Sequence, residues 1–282
     1  MRPKLAVLLR VVLFLAFGYL SLQLIAAALY DFFGLLVASV IGSFAAAALA
    51  TVLVIRIYER GRLADVGLRW TKGSGRNLLA GAAGGFGAAV LVLAPPLVSG
   101  AAEWKAAAGA VTGPAAFTFV TLVLLFGAVG EEMLFRGYGF QVMVPAFGAA
   151  ATVLPMAVLF AAAHSANQDV SGVGLMNTFG WGVILGVGLL RSGDLWMPIG
   201  LHFGWNWGLT LFGANVSGFT MRLTGYTLEW KISPSWTGGG YGPEGGLLCT
   251  VVVLLLGVYL WKAPVSPQEL VLTQAKEPGE VA

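Results

Sequence analysis

Long apolar runs separated by short polar or glycine-containing intervals set the pattern of this chain. The first runs to about Tyr30, the second from about Phe33 to Ile55 and the third from about Leu78 to Val98. Others follow at about Ala115–Val142, Ala146–Ala166, Gly174–Leu190, Trp196–Phe212 and Gly246–Trp261. About 20 apolar residues suffice for a helix to cross a bilayer. The pattern therefore predicts an all-α fold, a polytopic transmembrane helical bundle of about eight spans. It is expected to form a single transmembrane domain over residues 1–266, with its motif-bearing core at about 114–214 and a polar C-terminal tail at 267–282; the chain from Lys262 on is expected to be mobile. The basic start, Met1 to Lys4, followed by an apolar run also has the form of a signal peptide, with Ala26-Ala27-Ala28 as a cleavage site. The run is long enough to span, and a retained first helix is the expectation.

Composition agrees with this pattern. Of 282 residues, 58% are hydrophobic and only 10% charged, against about 25% charged in a soluble domain. The densest basic interval holds Arg56, Arg60, Arg62, Arg69, Lys72 and Arg76. The positive-inside rule places it in the cytoplasm with the basic N-terminus, two crossings away. Eight spans put both termini in the cytoplasm, and the expected location is the inner (plasma) membrane. These cations read as topology signals, so a nucleic-acid partner is not expected. The single cysteine, Cys249, falls in a span and has no disulfide partner in the chain. Trp181, Trp196 and Trp261 read as interfacial anchors. Asn215-Val216-Ser217 is a formal glycosylation sequon.

Against this apolar background, a few polar positions stand out. Glu131 and Glu132 close the fourth apolar run, where unpaired charges cost several kcal/mol. Neighbours on a helix point about 100° apart, so the two acids face different ways. Arg136 lies four residues beyond Glu132 on the same face, in the favoured order. Arg136 is expected to neutralise Glu132 and leave Glu131 without a local partner. A desolvated carboxylate of that kind suits a general base near neutral pH. Alternatively, both acids pair with cations elsewhere or sit in interfacial water.

The chain has two histidines, His164 and His202. Phe160 precedes His164 by four residues, and Ala161-Ala162-Ala163 would let a neighbouring helix approach closely. On its own, His164 also reads as a helix cap. Asn206 shares a helical face with His202, while Gly200, Gly204 and Gly208 form a packing stripe about 200° round. Gly81 and Gly85 form a similar small-residue pair in the third span. The alternative for His202 and Asn206 is an interhelical hydrogen bond that only holds helices together. Acid, imidazoles and amide together make an inventory for activating a water and stabilising an oxyanion. Phosphate-loop, dinucleotide, helical zinc-protease and nucleophile-elbow motifs are absent from the sequence.

Three motifs occur in order: Glu131-Glu132-Met133-Leu134-Phe135-Arg136, Phe160-Ala161-Ala162-Ala163-His164 and His202-Phe203-Gly204-Trp205-Asn206. This set resembles the CPBP (Abi) family of CAAX prenyl proteases and bacteriocin-processing enzymes, over about Gly130 to Gly208. The resemblance implies an intramembrane endopeptidase of the Ras-converting type. It implies that Glu131 and His164 activate the attacking water and that His202 and Asn206 hold the oxyanion. Glu132, Arg136 and Phe160 are then structural. The implied partners are the lipid bilayer and a membrane-associated protein or peptide substrate, prenylated or not. No cofactor is favoured. Zinc is the alternative, and its ligands would be Glu131, His164 and His202.

Two other functions use the same residues: a non-catalytic membrane scaffold or immunity-type protein, and a proton-coupled transporter. The protease reading carries a geometric difficulty. Glu131 and His164 both lie late in successive antiparallel spans, so their depths would differ by roughly 10 Å or more. A fifth helix starting near Pro155, with Phe147 to Leu154 re-entrant or interfacial, would remove it.

Overall fold

The computed structural model describes residues 3–109, 112–221 and 223–273. Met1 and Arg2 of the basic start and the tail from 274 lie outside them. The fold is all-α apart from one two-stranded sheet. Four helices are long and apolar enough to cross a bilayer, and shorter apolar helices accompany them. This marks an integral membrane protein.

The helix α1 (Pro3–Tyr58) is two antiparallel arms joined at Gly34, whose φ of 72° only a residue without a side chain adopts readily. The first arm belongs to the core: Phe14 is fully buried and packs on the ring of Tyr138. After α2 (Ser74–Val98) comes the strand β1 (Ala102–Ala106), and then α3 (Pro114–Arg136), which opens on a proline at its first turn. The fourth apolar run is not one helix. It breaks at Gly137, where a Cβ would strike the Met133 carbonyl, and resumes as α4 (Tyr138–Phe147).

Gly148, at φ 90°, ends α4, and α5 (Ala150–Ala163) starts at once with Pro155 inside it. A start near Pro155 is therefore incorrect, because the left-handed glycine supplies the turn earlier and α5 is helical from Ala150. The depth difficulty has another solution. The chain travels about 24 Å of helical rise from Glu131 to Phe147, and α5 returns about 21 Å. The extra length of α4 brings His164 back to the level of Glu131.

The remaining elements are α6 (Gly172–Ser192), α7 (Trp196–Leu211), β2 (Tyr226–Trp230), the single turn α8 (Pro234–Thr237) and α9 (Leu247–Lys262). β1 and β2 pair antiparallel, with Trp104 opposite Leu228. Alternation puts Ala102, Trp104, Tyr226, Leu228 and Trp230 on one face and the Glu103–Lys105–Glu229 ion pairs on the other. Neither strand was legible in the sequence, where both read as interval.

α2 and α7 run parallel with their backbones in contact. A Cβ at Gly81 or Gly85 would meet the Met197 or Leu201 carbonyl, and one at Gly200 or Gly204 would meet Leu78 or Ala82. The two glycine stripes are thus each other's partners. The alanines before His164 play no such part. Ala162 and Ala163 are exposed, and the close approach on α5 is Ala157 against Gly182 of α6.

The segment after α9 is hydrogen-bonded to the bundle as far as it is described. Asn77 donates to Asp194 at 2.8 Å and to the Ser266 carbonyl at 2.9 Å, and accepts from the Ser266 N–H at 2.7 Å. Gln268 donates its N–H to the Ser192 carbonyl, and Thr71 donates to its side chain. This strap closes the end of the bundle that carries the basic interval. Burial raises the pKa of the Asp194 carboxyl above its ordinary range. Asn77→Ala is expected to take one donor from Asp194 and from the Ser266 carbonyl and to leave the Ser266 N–H without its acceptor. Stability should fall by about 2–3 kcal/mol, with new protease cleavage within 264–273, read by thermal unfolding and limited proteolysis.

Candidate active site

Helical geometry separates the adjacent acids as the sequence suggests. The side chain of Glu132 is 0% exposed, whereas that of Glu131 is 31% exposed and lines a cavity. Arg136 Nη1 donates to Glu132 Oε1 at 3.2 Å, one helical turn away. Its Nη2 donates to the Gly182 carbonyl of α6 at 3.2 Å. The guanidinium lies 4.3 Å from the ring centre of Phe160, which in turn sits 4.7 Å from the His164 ring. The Phe-x-x-x-His spacing thus places one aromatic ring against both the buried cation and the imidazole.

The sequence assigned Glu132 to Arg136 alone, and the structure extends this. Glu132 Oε1 also takes the Nδ1–H of His202, at 2.8 Å. That bond fixes the imidazole and turns its Nε2 toward Glu131, whose Oε2 is 3.9 Å away. His164 is the C-cap residue of α5, and its Nδ1 lies 2.8 Å from the Phe160 carbonyl. A carbonyl only accepts, so Nδ1 carries the proton and Nε2 of the neutral ring keeps a lone pair. This Nε2 is also 3.9 Å from Glu131 Oε2. Helix capping and interhelical bonding, posed as alternatives to a polar site, turn out to be what orients the two rings.

Glu131 Oε2 therefore faces Nε2 of both histidines and accepts no hydrogen bond within the protein. A separation of 3.9 Å is too long for direct bonding yet shorter than two hydrogen bonds of about 2.8 Å. A water shared between Glu131 and either imidazole fits that spacing. Tetrahedral zinc ligands at about 2.0–2.1 Å from the metal lie roughly 3.4 Å apart, closer than these atoms. Among the described residues no group of three or more His, Cys, Asp or Glu has the arrangement of a metal site.

The cavity has a volume of about 480 Å³. Glu131, His164, His202 and Asn206 all line it, so the four predicted residues converge from α3, α5 and α7. One wall comes from both arms of α1 and is mainly aliphatic, with Leu22, Ala26, Leu36 and Val40, interrupted by Gln23, Ser39 and Ser43. The opposite wall is polar: Asn167, Thr178, Ser217 and Glu244. Trp181, expected as an interfacial anchor, is buried instead and packs on Trp205 at 4.9 Å in this wall. Trp196 pairs edge-to-face with Trp70, and Trp261 alone of the three is fully exposed. The polar wall was missed from the sequence. Its one signal was an isolated acid, Glu244, directly before the last apolar run.

Residues 113–208 match the family model described as Type II CAAX prenyl endopeptidase Rce1-like. This stretch carries a CPBP-family domain, and all three motifs lie inside it. No curated protein and no solved structure matches the chain.

Glu132 and Arg136 form a buried pair, so removing one partner is more damaging than removing both. Glu132→Ala should cost about 3–5 kcal/mol. Glu132→Ala combined with Arg136→Met should recover part of that loss, the remainder reflecting the His202 Nδ1–H and the Gly182 carbonyl left without partners, as read from unfolding midpoints across the double-mutant cycle.

Proposed function

We propose that the Rce1-like domain makes this chain an intramembrane endopeptidase of the CAAX-protease type. The observation that carries the reading is Glu131 Oε2 poised 3.9 Å from Nε2 of both histidines at the edge of a cavity. Glu131 and the His164 Nε2 lone pair hold and deprotonate a water, which attacks the scissile carbonyl. The amide N–H of Asn206 and the Nε2–H of protonated His202 donate to the oxyanion. Glu132 accepts from Nδ1 of that imidazolium and balances its charge. As the tetrahedral intermediate collapses, the C–N bond breaks and the abstracted proton passes to the leaving amine. The products are a carboxylate and an amine.

The substrate is a membrane-associated protein or peptide. The aliphatic α1 wall suits an apolar group next to the scissile bond, and a prenyl chain is one such group. Eight crossings, with the arms of α1 counted separately and the α3–α4 pair counted once, put the start of α1 and the end of α9 beside the basic interval. The positive-inside rule makes that the cytoplasmic side of the plasma membrane.

Purified protein in liposomes should cleave a quenched farnesylated CAAX reporter or a panel of membrane-anchored peptides. Glu131→Gln and His164→Ala should each lower kcat by about a thousandfold or more, with folding intact. Cleavage at the wild-type rate by folded Glu131→Gln protein would overturn the role given to Glu131, and a wild-type protein that cleaves none of these substrates would favour the scaffold reading instead.

A further inference from the structure

The polar wall of the cavity contains a carboxylate for which the reaction above has no use. Glu244 is 7% exposed and precedes α9, well outside residues 113–208. Its Oε1 accepts the Trp205 Nε1–H at 3.0 Å. Its Oε2 accepts both the amide N–H and the hydroxyl of Ser217, the latter at 2.9 Å. Among the described residues no lysine or arginine lines this cavity, and the donors that reach the carboxylate are neutral. The hydroxyl of the formal sequon is therefore committed to the interior.

Both partners lead back to the reacting groups. Trp205 lies on α7 between His202 and Asn206. Ser217 sits in the tight turn Val216–Phe219 at φ 48°, an uncommon backbone conformation for a residue with a side chain. Its carbonyl accepts from Asn167 Nδ2 at 3.0 Å, and the Asn167 N–H donates to the His164 carbonyl at 3.1 Å. A continuous run of hydrogen bonds thus links α7 to the end of α5 across the far side of the cavity.

We propose that Glu244 is a positioning residue that sets the separation between His164 and the His202–Asn206 pair. Its effect on rate rests on the proteolytic reading, whereas its effect on the geometry of the two imidazoles does not. An amide cannot replace it: the carboxylate accepts at both oxygens, and in glutamine one of those positions becomes a donor facing a donor.

The test uses full-length Glu244→Gln in liposomes with the farnesylated reporter, together with magnetic resonance of labelled histidine, of which the chain has only two. Both imidazole signals should shift, and kcat should fall about 10–100-fold while KM stays within about twofold. If Glu244→Gln does not fold, Ser217→Ala, which removes only the hydroxyl contact, is read in the same way. A lowered unfolding midpoint with unchanged imidazole signals and kcat would reduce Glu244 to a structural residue and overturn the proposal. If the wild-type protein cleaves none of these substrates, the protease reading fails by itself, and the imidazole signals of Glu244→Gln still decide the positioning role.

Discussion

One carboxylate oxygen, Oε1 of Glu132, holds the centre of the molecule together. It accepts from Arg136 on its own helix and from His202 on α7. The same guanidinium reaches the Gly182 carbonyl of α6 and stacks on Phe160 of α5. Four helices are thereby registered on one buried ion pair. Such pairs contribute little net stability, since the desolvation of both charges offsets their attraction. What this pair supplies is a unique arrangement: the partners of the carboxylate and guanidinium are spread over α3, α5, α6 and α7, and a slipped helix would leave a charge bare.

Orientation of the histidines follows from the same economy of polar groups. Each ring spends Nδ1 on a local obligation, a helix-end carbonyl for His164 and Glu132 for His202. Each therefore presents Nε2 to Oε2 of Glu131, a carboxylate oxygen with no hydrogen bond of its own. The site is built from groups that the fold had to satisfy in any case.

Much of this was legible in the sequence because the spacings are helical. Glu132–Arg136, Phe160–His164 and His202–Asn206 each lie four apart, and the glycine stripes of α2 and α7 announce close packing. What was not legible depends on backbone detail or on distant pairing. Gly137 reads as an ordinary helix residue until its Cβ is tested against Met133. Gly148 outranks Pro155 as a start signal only once its left-handed φ is known. Trp181 looks like an anchor because sequence gives depth poorly and facing direction not at all. The strands β1 and β2 lie 120 residues apart and carry no turn between them, and Glu244 acquires its neighbours only when the interval after α7 folds back.

The contact between α2 and α7 has a mechanical consequence. Side-chain layers let packed helices slide by exchanging rotamers, but here main chain rests on main chain through Gly81, Gly85, Gly200 and Gly204. The helix bearing His202 and Asn206 has no compliant layer behind it, so it moves with α2 or not at all. Compliance on the opposite side falls to the α1 hairpin, whose arms meet at a single glycine with open space around it. One wall of the chamber is an anvil and the other a hinge.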